Sequence, residues 1–223
     1  MDNISYILYI CYLIPMTMSL LVFESKARRT TAYILIGSAV CIVAAELNYY
    51  LNNNFAALND RLYFCTTVSP ITEELLKALP VLYYAFVFSD NRRRLMQIAF
   101  ATGLGFAILE NMIIFTQNID NISISWALIR GFGSGLMHGV CTMTVGIAIS
   151  FVRKRKKLFY CGTIAAIMLA VTYHAIYNAL VMSNYMYFGF ALPLVTYVPT
   201  ILFFIKRRKQ SADEEKNKAA KGA

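Results

Sequence analysis

The sequence predicts an all-α, polytopic helical membrane protein of about seven transmembrane helices, and three observations carry that prediction. Apolar residues fill 58% of the 223 positions, and the mean hydropathy is +0.54. Only 15% of residues are charged, against roughly a quarter in an ordinary soluble domain. Those charges cluster between apolar runs long enough to cross a bilayer, which takes about 20 residues of helix.

Taken in order, the runs are 4–23, 32–51, 62–88, 95–116, 124–152, 158–182 and 186–205. No Lys or Arg precedes the first, which is the wrong start for a cleaved signal peptide, so it is expected to be retained. Pro15 interrupts it. The second carries Glu46 before "LNYYLNNN", so Glu46 either joins a site or marks the outer end of the span. The third holds "SPITEELLKALP", in which Ser69 reads as an N-cap and Pro70 as N1 of a helix starting inside the membrane. The fourth contains "GLGFAILEN" and the fifth "RGFGSGLMHG". Gly131, Gly135 and Gly139 recur every four residues, a spacing that lets helices approach closely. Trp126 sits where an interfacial anchor belongs, and Arg130, one turn deeper, either snorkels outward or supports a site. The sixth contains "YHAIYNAL", and the seventh ends at "KRRK".

The net charge of +9 is a topology signal. Lys26, Arg28 and Arg29 follow the first span, Arg92, Arg93 and Arg94 the third, "RKRKK" (153–157) the fifth and "KRRK" (206–209) the seventh. The intervening loops hold Arg61, Asp60 and Asp120. By the positive-inside rule the N-terminus is outside and the C-terminus cytoplasmic. The basic excess thus faces lipid headgroups, and a nucleic-acid partner is not expected. Residues 1–206 form one membrane domain, with the site in 70–180; residues 207–223 read as a disordered cytoplasmic tail. The cysteines are odd in number and form no CxxC, so they are expected to be packing residues.

The polar residues inside the spans share one depth. Glu73 lies 16 residues from Ser89, Glu110 16 from Arg94, His138 15 from Arg153 and His174 17 from Lys157. At 1.5 Å per residue each stands about 22–26 Å from the basic end of its helix. Four consecutive spans therefore bring a carboxylate or imidazole to one level. An ionised group at the bilayer centre costs roughly 2.5–3.5 kcal/mol on insertion scales, so such groups are functional candidates. Lys77 is within reach of both Glu73 (i,i+4) and Glu74 (i,i+3). The two glutamates diverge by about 100° and should do different work. His174 and Asn178 share a face, with Tyr177 beside them, and Asn111 follows Glu110.

This set suits hydrolysis. A carboxylate balanced between desolvation and a nearby lysine can act as general base on water. The imidazoles and Asn178 can position that water or donate to an oxyanion. There is no HExxH helix, but two histidines and a glutamate from separate helices can also make a zinc site with an open position. His138, His174 and Glu110 are the candidate ligands.

"EELLK" (73–77), "GFAILEN" (105–111), "MHG" (137–139) with Arg130 upstream, and "HAIYN" (174–178) resemble, in order and spacing, the successive motifs of the PrsW family of intramembrane proteases. Its wider clan includes the CAAX prenyl endopeptidases and Abi-type bacteriocin-immunity proteins. The resemblance implies a bacterial plasma-membrane endopeptidase acting on a membrane-anchored protein. The best-known role in the family is site-1 cleavage of an anti-sigma factor in envelope-stress signalling. It also implies that Glu73 activates water and Glu74 supports it. Glu110 stands where the CAAX branch has a histidine, His138 and His174 complete the site, and Asn178 is an oxyanion donor. Lys77, Asn111, Arg130 and Tyr177 are supporting residues. Members have been described both as metalloproteases and as glutamic-type proteases; the glutamic reading is preferred here, with no cofactor favoured and zinc as the alternative. The rivals are a proton-coupled transporter or channel, since aligned Glu and His also make proton relays, and a non-catalytic immunity or scaffold protein on the same fold.

Overall fold

The computed structural model describes residues 3–198 and 202, apart from 56, 57, 59, 90, 122, 154 and 155. The expected cytoplasmic tail lies outside the described residues. Helices joined by short turns make up almost all of them, with no strand among the described residues. In order the long helices are α1 (Asn3–Val22), α2 (Ser25–Asn54), α3 (Ser69–Val87), α4 (Arg92–Gln117), α5 (Ile124–Val152), α6 (Lys156–Val181) and α7 (Met186–Val198). Each corresponds to one expected span. The backbone of α1 runs unbroken through Pro15.

Four of these helices, α2, α4, α5 and α6, are long and apolar enough to cross a membrane on composition alone. The α3 helix is set apart by Glu73, Glu74 and Lys77, three charges within five residues. Side chains such as Leu79, Tyr83 and Phe86 on α3, and Ile164, Leu169 and Ile176 on α6, are exposed. Apolar surface on that scale marks contact with lipid rather than water.

The α4 helix is central, lying against α2 on one side and α5 on the other, and α6 packs on α5. The closest approaches use glycines. A Cβ on Gly103 would stand 2.3 Å from the His138 carbonyl oxygen, and one on Gly105 would stand 1.9 Å from that of Ile34. The sequence pointed instead to Gly131, Gly135 and Gly139. Of those, Gly139 meets the Phe100 ring, while Gly131 and Gly135 have nothing among the described residues within 4 Å of an added Cβ. Gly139 thus lies at the α4–α5 approach, opposite Gly103, while Gly131 and Gly135 do not, because spacing shows which residues share a face but not how far along it a neighbour stays close.

The α3 helix touches α2, α4, α5 and α6, which makes it the element around which a shared site can form. Its apolar face (Ala78, Val81, Tyr84, Ala85) packs into a core with Leu95, Ile98 and Ala99 of α4, Cys141, Val145 and Ile149 of α5, and Ala170 of α6. A second cluster, Cys41 and Ala44 of α2 with Phe106, Leu109 and Ile113 of α4, closes the other side.

The entry to α3 differs from the sequence expectation. The chain is already helical before Ser69: a turn at Arg61–Tyr63 runs into a wider, π-helical turn at Phe64–Val68. Ser69 itself has helical dihedrals (φ −59°, ψ −47°) and is not an N-cap. In this wider turn the N–H of Ser69 donates to the carbonyl of Phe64, five residues back. The next donor in that register would be residue 70. Pro70 has no N–H, so the Cys65 carbonyl is left to find a partner elsewhere.

Candidate active site

The two glutamates of α3 face different partners, as their divergence predicts. Glu73 accepts a hydrogen bond from the Ser69 hydroxyl through Oε1. Glu74 Oε1 accepts from Lys77 Nζ at 2.6 Å and from His174 Nδ1 at 2.9 Å. The lysine pairs with Glu74, one turn away, and holds a wholly buried charge. With Nδ1–H committed to Glu74, His174 is left with Nε2, which lies 3.9 Å from Glu73 Oε2. Glu73 Oε2 is buried and makes no hydrogen bond among the described residues.

His138 is held at both nitrogens. Its Nδ1 is 2.7 Å from Lys77 Nζ, and its Nε2 is 3.1 Å from Glu110 Oε2. An ammonium has only protons to offer. Nδ1 therefore accepts, and Nε2–H donates to the carboxylate. The two imidazole rings meet edge to face with centroids 4.9 Å apart, and Phe106 lies 5.0 Å from the His138 ring. Lys77 Nζ also sits 4.5 Å above the Phe106 ring, where the ring quadrupole favours a cation.

Glu110 Oε2 gathers three donors: His138 Nε2, the Ser134 hydroxyl at 3.1 Å and Arg130 Nη2 at 3.3 Å. Arg130 thus turns inward to Glu110. Glu110 and Arg130 are 22% and 16% exposed, whereas Lys77 and His138 are 0%. The site therefore opens on the Glu110–Arg130 side.

Asn178 meets the need created by Pro70. Its Nδ2 donates to the Cys65 carbonyl at 2.8 Å, tying α6 to the turn that precedes Glu73. Tyr177 is buried against Gly133, where an added Cβ would lie 3.0 Å from its hydroxyl. Asn111 Oδ1 is buried without a hydrogen bond among the described residues.

One contributor escaped the sequence reading. Asn48 of α2 donates to the Ser69 hydroxyl through Nδ2 (3.1 Å) and accepts from Thr72 Oγ1 (2.6 Å) through Oδ1. Glu46 was the candidate on this helix, but its side chain is exposed. An amide in an apolar helix was the available signal, and it was hidden at the start of the polar run "NYYLNNN".

Could this set hold a metal? Glu73, His138 and His174 each offer a ligand atom, all within 4.8 Å of one another and all buried. Two imidazoles and a carboxylate are zinc ligands. His174 already shows the arrangement that orients a metal-binding imidazole, with its far nitrogen on a carboxylate. The unpartnered Glu73 Oε2 faces it. His138 would have to release Lys77 or Glu110 to take part. The set fits a divalent cation, with Glu73 rather than Glu110 as the carboxylate.

A family model described as PrsW family intramembrane metalloprotease matches residues 26–205. The chain is 24% identical over 194 residues to a protein named Protease PrsW from Clostridioides difficile (strain 630), with 80% of each chain covered. No solved structure matches. The preference for a metal-free site finds no support in these likenesses.

Proposed function

We propose, from the premise that this chain belongs to the PrsW family of intramembrane proteases and is a multi-pass bacterial membrane protein, that it hydrolyses a peptide bond of a membrane-anchored protein between α3, α4, α5 and α6. The observation that carries the reading is the close approach of Glu73 Oε2 to His174 Nε2, 3.9 Å apart in a buried setting, with Oε2 making no hydrogen bond among the described residues.

A water set to one side of this pair is within hydrogen-bonding reach of both atoms. Glu73 Oε2 takes its proton as the oxygen adds to the scissile carbonyl, and the same proton passes to the leaving nitrogen as the C–N bond breaks. Glu74 holds His174 in the tautomer that presents Nε2, and Lys77 donates to the same Glu74 oxygen. His138 and Glu110 close the opposite wall, and Arg130 stands at the open side as a donor for the substrate. When bound to Glu73, His138 and His174, zinc supplies Lewis-acid polarisation and a more acidic water. The two chemistries use Glu73 differently, as a base or as a ligand, and metal content distinguishes them.

The basic loops favour an outside N-terminus and a cytoplasmic C-terminus, which sets the site at or somewhat outside the midplane. A membrane-anchored anti-sigma factor is the substrate type the family likeness suggests. The test compares membrane-protein N-termini in cells expressing the wild type or Glu73→Gln. New termini in or just outside a transmembrane segment, seen with the wild type alone, are the expected result. Cleavage retained by Glu73→Gln removes Glu73 from the mechanism. Identical termini in both, with a cleaving wild type absent under envelope stress as well, move the transporter and scaffold readings ahead.

A further inference from the structure

Glu73 has two oxygens with separate surroundings, and the difference is built by side chains outside the four recognised motifs. Oε1 accepts from the Ser69 hydroxyl, and Oε2 makes no hydrogen bond among the described residues. Behind Ser69 stands a chain of donors. Thr72 Oγ1 donates to Asn48 Oδ1 at 2.6 Å, and Asn48 Nδ2 donates to Ser69 Oγ at 3.1 Å.

The chain has a direction. With its Nδ2 on Ser69, Asn48 occupies a lone pair of that hydroxyl and turns its proton to Glu73. If the amide were turned over, Oδ1 would face Ser69 Oγ. The hydroxyl proton would then go to Asn48, and Glu73 Oε1 would lose its donor. Thr72 Oγ1 lies near two acceptors, Asn48 Oδ1 at 2.6 Å and the Ser69 carbonyl at 2.9 Å, and the shorter contact, together with the Ser69 hydroxyl donating to Glu73, gives the chain its sense. The amide orientation is thus set by the network around it.

We infer that Asn48 and Ser69 are positioning residues for Glu73: their donor chain pins Oε1 so that Oε2 is the oxygen presented to His174. The inference rests on the proteolytic reading for its consequence in catalysis, but the geometry stands apart from it. It also gives α2 a part in the site, although α2 carries none of the recognised motifs.

The test uses the full-length protein, purified in detergent, with two readouts. The first is isotope-edited infrared spectroscopy of ¹³C-glutamate-labelled protein, in which the Glu73 band is the one lost in Glu73→Gln. Ser69→Ala should shift that band and Ser69→Thr should restore it. Asn48→Ala, or Asn48→Asp if the alanine variant folds poorly, should shift the band when Ser69 is present and do nothing in the Ser69→Ala background. The second readout is cleavage of fluorescently labelled casein. Ser69→Ala should lower kcat about tenfold with KM unchanged, the worth of one hydrogen bond to a charged acceptor. Asn48→Ala should lower kcat no further in the Ser69→Ala protein, because coupled residues are not additive.

An unmoved Glu73 band in Ser69→Ala overturns the inference. So does an Asn48 effect of equal size with and without the Ser69 hydroxyl. The infrared readout needs no turnover. A wild type that leaves casein intact counts against the proteolytic reading alone, and the band still decides the relay.

Discussion

His174 gives its Nδ1 proton to Glu74 Oε1 at 2.9 Å, and this one contact decides which nitrogen faces Glu73. The same carboxylate oxygen accepts from Lys77. Glu74 is therefore both the orienter of the imidazole and the counter-ion of a buried lysine.

Removing that counter-ion alone should be costly. Glu74→Gln leaves Lys77 charged and buried, a defect worth about 3–5 kcal/mol. The expected outcome is a large fall in the melting temperature of the detergent-solubilised protein. Glu74→Gln combined with Lys77→Met should recover most of it, because no uncompensated charge remains. Equal melting temperatures for Glu74→Gln and the wild type would contradict the pairing.

Metal binding should follow the two histidines. His138→Ala and His174→Ala are each expected to lower zinc content, measured by elemental analysis of protein purified without chelator. Glu73→Gln should lower it too, and Glu110→Gln should lower it less, since Glu110 lies outside the three-ligand set. Wild type that is free of metal and fully active would eliminate the metal.

The Asn178 clamp has a second-site test. Asn178→Leu strips the Cys65 carbonyl of its donor, which should destabilise the protein by about 1–3 kcal/mol. Pro70→Ala restores a backbone N–H in the register that carbonyl needs. The double variant is expected to melt above Asn178→Leu alone. If Pro70→Ala gives no recovery, the carbonyl is not what Asn178 serves.

Two glycine substitutions should part company. Gly103→Ala puts a Cβ 2.3 Å from the backbone oxygen of His138 and should prevent α4 and α5 from closing. Gly135→Ala meets nothing among the described residues within 4 Å and should gain about 0.5–1 kcal/mol from helix propensity. Expression and melting temperature read both.

The helices, their order and the charges that terminate them were legible in the sequence because each depends on local composition. The same holds for the shared depth of Glu73, Glu110, His138 and His174, which needs only the rise of a helix and a membrane boundary. Their meeting follows from it: Glu110 touches His138, and His174 faces both α3 glutamates. Rotation about each helix axis was not legible. It decides that Lys77 serves Glu74, that Arg130 turns to Glu110 rather than outward, and that Glu73 rather than Glu110 joins the two histidines as a ligand set. The parts played by Asn48 and Asn178 were hidden for a related reason. Each answers a need created on a distant segment, a hydroxyl to be oriented in one case and a carbonyl orphaned by proline in the other. A hydrogen bond between helices is fixed by their packing, and that packing is settled only when the whole bundle closes.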